Sequence, residues 1–266
     1  MIDSEYLNAI ILGVIQGIAE FLPISSSGHL VIANEFLQSS SGSKIGQGGF
    51  ALTLALHIGT LLSILVVYRH DLKQILGRRH LCVGIIAATM PLVAIDLIPS
   101  LLDWVEAAFE NTLAAGFGLL VTAAVLAVGQ RWARDSWSLD ELPVSSALLV
   151  GLFQAVALIP GVSRSGTTIA GGLLTGLNRE AATTFSFLIA IPAISGAACL
   201  LILKALKGEA MGTAPGALLL GGAVAFLVGV VALRWLIRLV SQGRLQWFSW
   251  YCAAAGTATI AWQLSR

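Results

Sequence analysis

Six stretches of this chain are long and apolar enough to be lipid-facing helices, and two more would qualify if they were not broken. The six are 50–68, 81–99, 111–130, 182–203, 215–237 and 246–264. A helix needs about 20 apolar residues to cross the hydrocarbon core. Charged residues make up only 11% of the chain against 57% apolar. A water-facing shell cannot be built from so few charges, since soluble domains carry about 25%. The expected class is therefore an all-α integral membrane protein. Net charge is +1, which excludes nucleic-acid binding through bulk positive charge. The three cysteines, Cys82, Cys199 and Cys252, lie far apart in apolar runs and form neither a zinc pattern nor a disulfide scaffold. The start, MIDSEYLN, carries two acids and no base, the wrong charge for a secretory leader, so the first apolar stretch is expected to stay in the mature protein.

The two broken stretches are 6–37, interrupted by FLPISSSGH, and 145–177, interrupted by IPGVSRSGT. Each arm has roughly 10–17 residues, mostly too short to span. Pro23 and Pro160 end the first arms, and Gly28 and Gly166 relax the turns. Both read as re-entrant hairpins. Exposed backbone at membrane depth is tolerated only inside protein or along a wet cavity, so the two breaks should face each other. Shifting the chain by about 138 residues places Gly13 on Gly151, Gln16 on Gln154, Ser25 on Ser163, Ser27 on Ser165 and Gly28 on Gly166. Each hairpin precedes three spans, an odd number, so the halves (1–130 and 145–266, within one membrane domain) are expected to have opposite orientation. That is an inverted repeat.

Loop charge orients this arrangement. Of the 15 Lys and Arg residues, ten fall on one face, including Arg69, Lys73, Arg78, Arg79, Arg131 and Arg134. Four fall on the other, Lys44, Lys204, Lys207 and Arg266, and Arg164 belongs to a hairpin. Basic loops stay cytoplasmic. The 69–80 loop then lies inside, as a solvated anchor. The loop from Pro99 to Glu110, with acids and no base, lies outside, and so do both termini. Hairpin one enters from outside and hairpin two from the cytoplasm. The stretch 39–49 reads as a flexible loop. Trp132, Trp137, Trp247 and Trp250 read as interfacial belt residues.

Glu20, His29 and Arg164 sit in or beside the breaks, although an ionisable group within the membrane costs about 3 kcal/mol. A structural Glu–Arg pair locking the hairpins is the plainer reading, and an anion site the richer one. Gln16 and Glu20 are four apart on one helix face. Ser25, Ser26 and Ser27 supply three hydroxyls beside the His29 imidazole. Helices restarting after each break would aim free N–H groups into a shared cavity, and Arg164 adds a planar fork suited to phosphate oxygens. His57, mid-span with Thr60 one turn on, reads first as a satisfied hydrogen-bonding group.

QGIAEFLPISSSGH (16–29) and PGVSRSGTTI (160–169), with ALHIGTLL (55–62) and FSFLIAIPA (185–193), resemble the undecaprenyl-diphosphatase family of the bacitracin-resistance type. The resemblance covers nearly the whole chain. The family's first motif position is Glu or Gln, and here it is Gln16. The resemblance implies a membrane phosphatase that hydrolyses undecaprenyl diphosphate to the monophosphate and inorganic phosphate, recycling the carrier for cell-wall synthesis. It implies a divalent cation, Mg or Ca, at Glu20 with Gln16 as a further ligand. It places pyrophosphate contacts at Ser26, Ser27, His29, Ser163 and Arg164. Ser25, Gly28, Gln154, Ser165, Gly166 and Thr167 complete the expected substrate-binding set.

Ser26 is the nucleophile candidate, with Glu20 or His29 as its base. Direct attack by a water activated on the cation stays open beside it. The expected place is the bacterial plasma (inner) membrane, with the site facing the outer, periplasmic side. The expected partners are a polyprenyl diphosphate lipid and the membrane, with a homodimer as the one protein assembly in view and no nucleic acid. The alternative is a carrier or flippase for a phosphorylated lipid or small anion, since facing broken helices also describe transporters.

Overall fold

The computed structural model describes residues 4–41, 49–75, 77–206 and 214–265. Most of the loop expected at 39–49 lies outside them, as do Lys44, Lys207 and Arg266 of the charge count. Among the described residues the chain is all-α, with no β-strand and one isolated parallel bridge between Trp137 and Leu177. Hairpin one is α1 (Ser4–Ala19) and α2 (Ser26–Ser41). Then follow α3 (Gly49–Val67), the short α4 (Arg69–Ile75), α5 (Arg79–Asp96), α6 (Pro99–Phe109) and α7 (Thr112–Arg131). Hairpin two is α8 (Val144–Val156) and α9 (Arg164–Leu174), followed by α10 (Arg179–Leu206), α11 (Pro215–Ser241) and α12 (Gln246–Leu264).

One expectation needs correction. The segment from Pro99 to Glu110 is not a loop but the helix α6, bent 85° from Arg79–Ile95. Pro99 stands at its first turn, where a missing N–H costs nothing. Acids between two apolar runs had masked a helix start. Among the described residues, three helices can cross a membrane by length and composition: α7, Arg179–Cys199 of α10, and α11. The bent pair α5 and α6 qualifies only if counted together.

The outer surface is apolar: Leu219 is 76% exposed, Val231 69% and Leu227 63% on α11 alone. Lipid accepts such a surface and water does not. The interior is organised by α10, where Phe185, Phe187, Leu188, Ile189 and Ala190 are all buried. The halves exchange partners, with α1 packed on α11 and α8 on α5. Small residues let these backbones approach, as lipid-embedded helices require. A Cβ on Gly13 would stand 2.8 Å from the Gly221 carbonyl, and one on Gly151 would stand 2.4 Å from that of Ala88.

The two breaks meet at the centre. A Cβ on Gly28 would lie 2.6 Å from Gly161 Cα, and one on Gly166 would lie 3.1 Å from Pro23 Cβ. Gly161 has φ +87°, and its own Cβ would stand 2.1 Å from the Ala115 carbonyl oxygen of α7. Hairpin two is fixed at its base as well. The connector after α7 is tied to the α9–α10 turn by the Trp137 bridge and by the ion pair of Asp135 with Arg179.

Gly161→Ala combines a left-handed backbone with backbone overlap on α7. The expected cost is about 1–3 kcal/mol or more, read as a lowered thermal unfolding midpoint in detergent. An unchanged midpoint would show that the turn yields without cost.

Candidate active site

Helix α1 ends at Ala19 and α2 starts at Ser26, so Glu20 to Ser25 form the first break. Ser25 takes φ +65°, an uncommon conformation for a residue with a side chain. Its Oγ accepts the Gly28 N–H at 3.2 Å and shares a hydrogen bond of 3.2 Å with Ser27 Oγ. The second break repeats this cap. Ser163 Oγ accepts the Gly166 N–H at 3.2 Å and lies 3.2 Å from Ser165 Oγ. Each cap uses the third amide of its helix, and a helix start leaves the first amides without intrahelical partners. These orphan donors and the positive dipole ends attract anions. Thr122 on α7 holds the second turn, accepting the Ser163 N–H and donating to the Gly161 carbonyl, both at 2.9 Å.

Arg164 Nη2 donates to Glu20 Oε1, joining the breaks across the chain. Both side chains are largely buried. Gln16 Nε2 donates to Glu20 Oε2 at 3.1 Å. Arg164 Nη1 is buried with no hydrogen-bond partner among the described residues. A buried donor without a partner is rare and costly, and a guanidinium arm of this kind is one that an anionic oxygen would satisfy.

Beside this pair is a cavity of about 200 Å³, lined by Glu20, Ser25, Ser26, Ser27, Ser163 and Arg164 with an apolar wall that includes Phe109, Leu158 and Val162. It is smaller than a drug-sized pocket and suits a headgroup rather than a lipid chain. A second cavity of about 670 Å³ shares Ser26, Ser27 and Phe109 with it and adds Gln16, Glu35, His57 and Glu110.

The expected residues divide by location. Glu20, Ser25, Ser26, Ser27, Ser163 and Arg164 converge on the smaller cavity, and Gln16 lines the larger one. Gly28, Ser165, Gly166 and Thr167 line neither cavity and belong to the first turns of α2 and α9. Ser165 Oγ reaches the Leu22 carbonyl at 3.4 Å, and Thr167 Oγ1 donates to that of Ser163 at 2.9 Å. Gln154 is buried to one side, with Nε2 3.5 Å from the Ala88 carbonyl. His29 does not line these cavities. Its Nδ1 lies 2.7 Å from the Ser25 carbonyl and its Nε2 lies 2.6 Å from the Tyr251 hydroxyl. His57 lines the larger cavity, and its Nδ1 is satisfied by the Thr53 carbonyl at 2.8 Å. Sequence reasoning missed Thr122 and Tyr251. The available signal was chemical, since an O–H inside an apolar helix needs a partner.

Both Glu20 oxygens already accept hydrogen bonds, and among the described residues no three His, Cys, Asp or Glu side chains gather to hold a metal. The donor set makes no protein cage. It fits a divalent ion only in company with phosphate oxygens, with Glu20 as the protein carboxylate.

The family model described as bacitracin resistance protein BacA matches residues 9–258, which include both breaks and every residue of the site. The chain belongs to the BacA family. Its relatives include proteins named undecaprenyl-diphosphatase. One from Rhodopirellula baltica is 44% identical, over 97% of this chain and 98% of its own. One from Korarchaeum cryptofilum is 36% identical over 97% and 99%, and one from Bacteroides thetaiotaomicron is 37% identical over 98% and 100%. In this BacA-family chain the arginine fork uses one arm for Glu20, and its other arm is buried without a partner among the described residues. Arg164→Lys should therefore lose most activity although charge is kept, because a point charge cannot serve two directions. The loss should appear in kcat as well as KM if Arg164 acts on the transition state. Near-normal kcat would reduce Arg164 to an anchor.

Proposed function

We propose that this protein is a membrane phosphatase that hydrolyses undecaprenyl diphosphate to undecaprenyl phosphate and inorganic phosphate, returning the lipid carrier to cell-wall synthesis. The observation that carries this reading is the serine-lined cavity against the unpartnered Arg164 arm, in a chain similar over nearly its whole length to proteins named for that reaction. A carrier would need the anion-binding turns but not a nucleophile beside a base.

The headgroup enters the smaller cavity, and the prenyl tail stays in lipid. Phosphate oxygens take the free arm of Arg164 and the helix-start amides, which hold charge where it develops in phosphoryl transfer. Ser26 attacks the terminal phosphorus, and the bond to the bridging oxygen breaks. Prenyl phosphate leaves and phosphoserine remains. Ser26 and Glu20 line the same cavity. As the substrate draws on Arg164, the Glu20 carboxylate is freed to accept the Ser26 proton, which it passes to the departing prenyl phosphate. Water then hydrolyses the phosphoserine, with His29 serving this second step. A divalent cation, Mg or Ca, carried on the diphosphate and held by Glu20 with Gln16, would neutralise phosphate charge.

Ser26→Ala should abolish hydrolysis and still bind substrate. Its loss should exceed that of Ser27→Ala by about tenfold or more, equal to roughly 1.4 kcal/mol of barrier. Rapid quenching with labelled substrate should trap phosphate on Ser26 of the wild type. Substantial turnover by Ser26→Ala would move the attack to water.

The loop charges support a plasma-membrane protein whose site opens to the outer side, where the diphosphate is released after polymer transfer. In a variant with Cys82, Cys199 and Cys252 replaced, a cysteine at Ser100 should react with an impermeant maleimide on intact cells. One at Ser136 should react only after permeabilisation. The reverse pattern would invert the site.

A further inference from the structure

The wall of the smaller cavity has two chemistries. Glu20, the serines and Arg164 form one side, and Ala19, Phe109, Ala157, Leu158 and Val162 form the other. The shift of about 138 residues that aligns the breaks puts Leu158 on Glu20. At one repeat position, therefore, the first break supplies a carboxylate and the second an aliphatic side chain, and both line the same cavity. Phosphate oxygens gain nothing from the aliphatic side, since they would lose water there and find no donor. Hydrocarbon on the ligand does gain, in proportion to the apolar area it removes from water.

Phe109 is the one residue of that wall from outside the hairpins. It ends α6, and the next turn is fixed on both sides. The Glu110 N–H donates to the Ala107 carbonyl at 3.2 Å, and Asn111 Oδ1 accepts the Ala114 N–H of α7 at 3.1 Å. Phe109 also lines the larger cavity, where His57, Glu110 and Thr112 are polar neighbours. Its ring thus stands where the two cavities meet. It keeps 42% of its surface exposed, against 3% for Val162 and 6% for Ala19. Val162 and Ala19 close the apolar wall from within, and Phe109 forms its edge.

We propose that Phe109, opposite the two breaks and with Leu158 beside the headgroup, grips the first prenyl unit of the substrate and selects prenyl diphosphates over diphosphates without a chain. This rests on the reading that the diphosphate headgroup enters the smaller cavity. The first unit is bonded to that headgroup through its ester oxygen, so it cannot stay in lipid while the phosphates lie on Arg164. It needs an apolar surface within the site, and the wall of Phe109, Leu158 and Val162 is that surface. The polar larger cavity offers it none. The rest of the chain passes over the exposed edge of Phe109 into lipid.

The test compares two substrates of equal charge on the full-length protein at one fixed detergent concentration. Farnesyl diphosphate carries the prenyl unit, and methyl diphosphate has the same anhydride without it. Phosphate release gives kcat/KM for each. Phe109→Ala should lower the ratio of farnesyl to methyl kcat/KM by about tenfold, the scale of a lost apolar contact in a pocket. The change should lie in KM for farnesyl diphosphate, because the contact is equal in ground and transition states. Phe109→Leu keeps an apolar side chain at the end of α6 and should lower the ratio by about threefold or less. Melting curves equal to that of the wild type will report intact folds. A wild-type ratio in a folded Phe109→Ala would overturn the grip. Equal losses on both substrates would also overturn it, since Phe109 would then act on the headgroup or on water. Failure of the wild type to release phosphate from either substrate would overturn the phosphatase reading itself, and the grip with it.

Discussion

An ion pair set away from water joins the two broken helices, with Glu20 on one break and Arg164 on the other. Removing either partner would leave a buried charge uncompensated, a cost of about 3–5 kcal/mol. The pair therefore keeps the hairpins together before any ligand arrives. In the proposed reaction a diphosphate competes with Glu20 for the same guanidinium, which would release the carboxylate as a base. Gln16 holds the other carboxylate oxygen.

The backbone faces the same demand as the charges. Two helices that stop inside an apolar bundle expose amides and carbonyls that lipid cannot satisfy. The chain meets this with one device used twice, a serine that caps the third amide and touches a second serine two positions on. The turns before these caps differ. The first places its left-handed residue at Ser25, and the second places it at Gly161. The prolines differ by one position in the repeat, so each chain entry needs its own solution. Buttressing differs as well: α7 supports the second turn through Thr122, and α12 supports the first through Cys252 and Tyr251.

Much of this was legible from residues alone, for identifiable reasons. Proline and glycine inside apolar runs mark helix breaks whatever surrounds them. The breaks between α1 and α2 and between α8 and α9 contain Pro23 and Pro160, whereas Gly28 and Gly166, expected to relax the turns, stand inside the first turns of α2 and α9. Glu20 and Arg164 were legible because a charge in an apolar run needs a partner. The helix α6 was not, since acids between two apolar runs read equally as loop or amphipathic helix. Nor was the division of the serine and glycine set into cavity wall and scaffold. Ser163 and Ser165 have the same chemistry and lie two residues apart, yet Ser163 lines the smaller cavity and Ser165 braces Leu22.

The sequence by itself determined the solvent, the helical class, the two breaks and the residue types gathered there. These follow from local chemistry: the apolar run length, the missing proline N–H, and the cost of an unpaired charge in lipid. Only the tertiary structure decided which hydroxyls face the cavity, that one arm of Arg164 has no partner among the described residues, and that His29 turns its Nε2 to the Tyr251 hydroxyl. Those outcomes depend on contacts between residues 144 and 222 positions apart. Side-chain direction at such distances is set by how helices pack, and no local pattern encodes it.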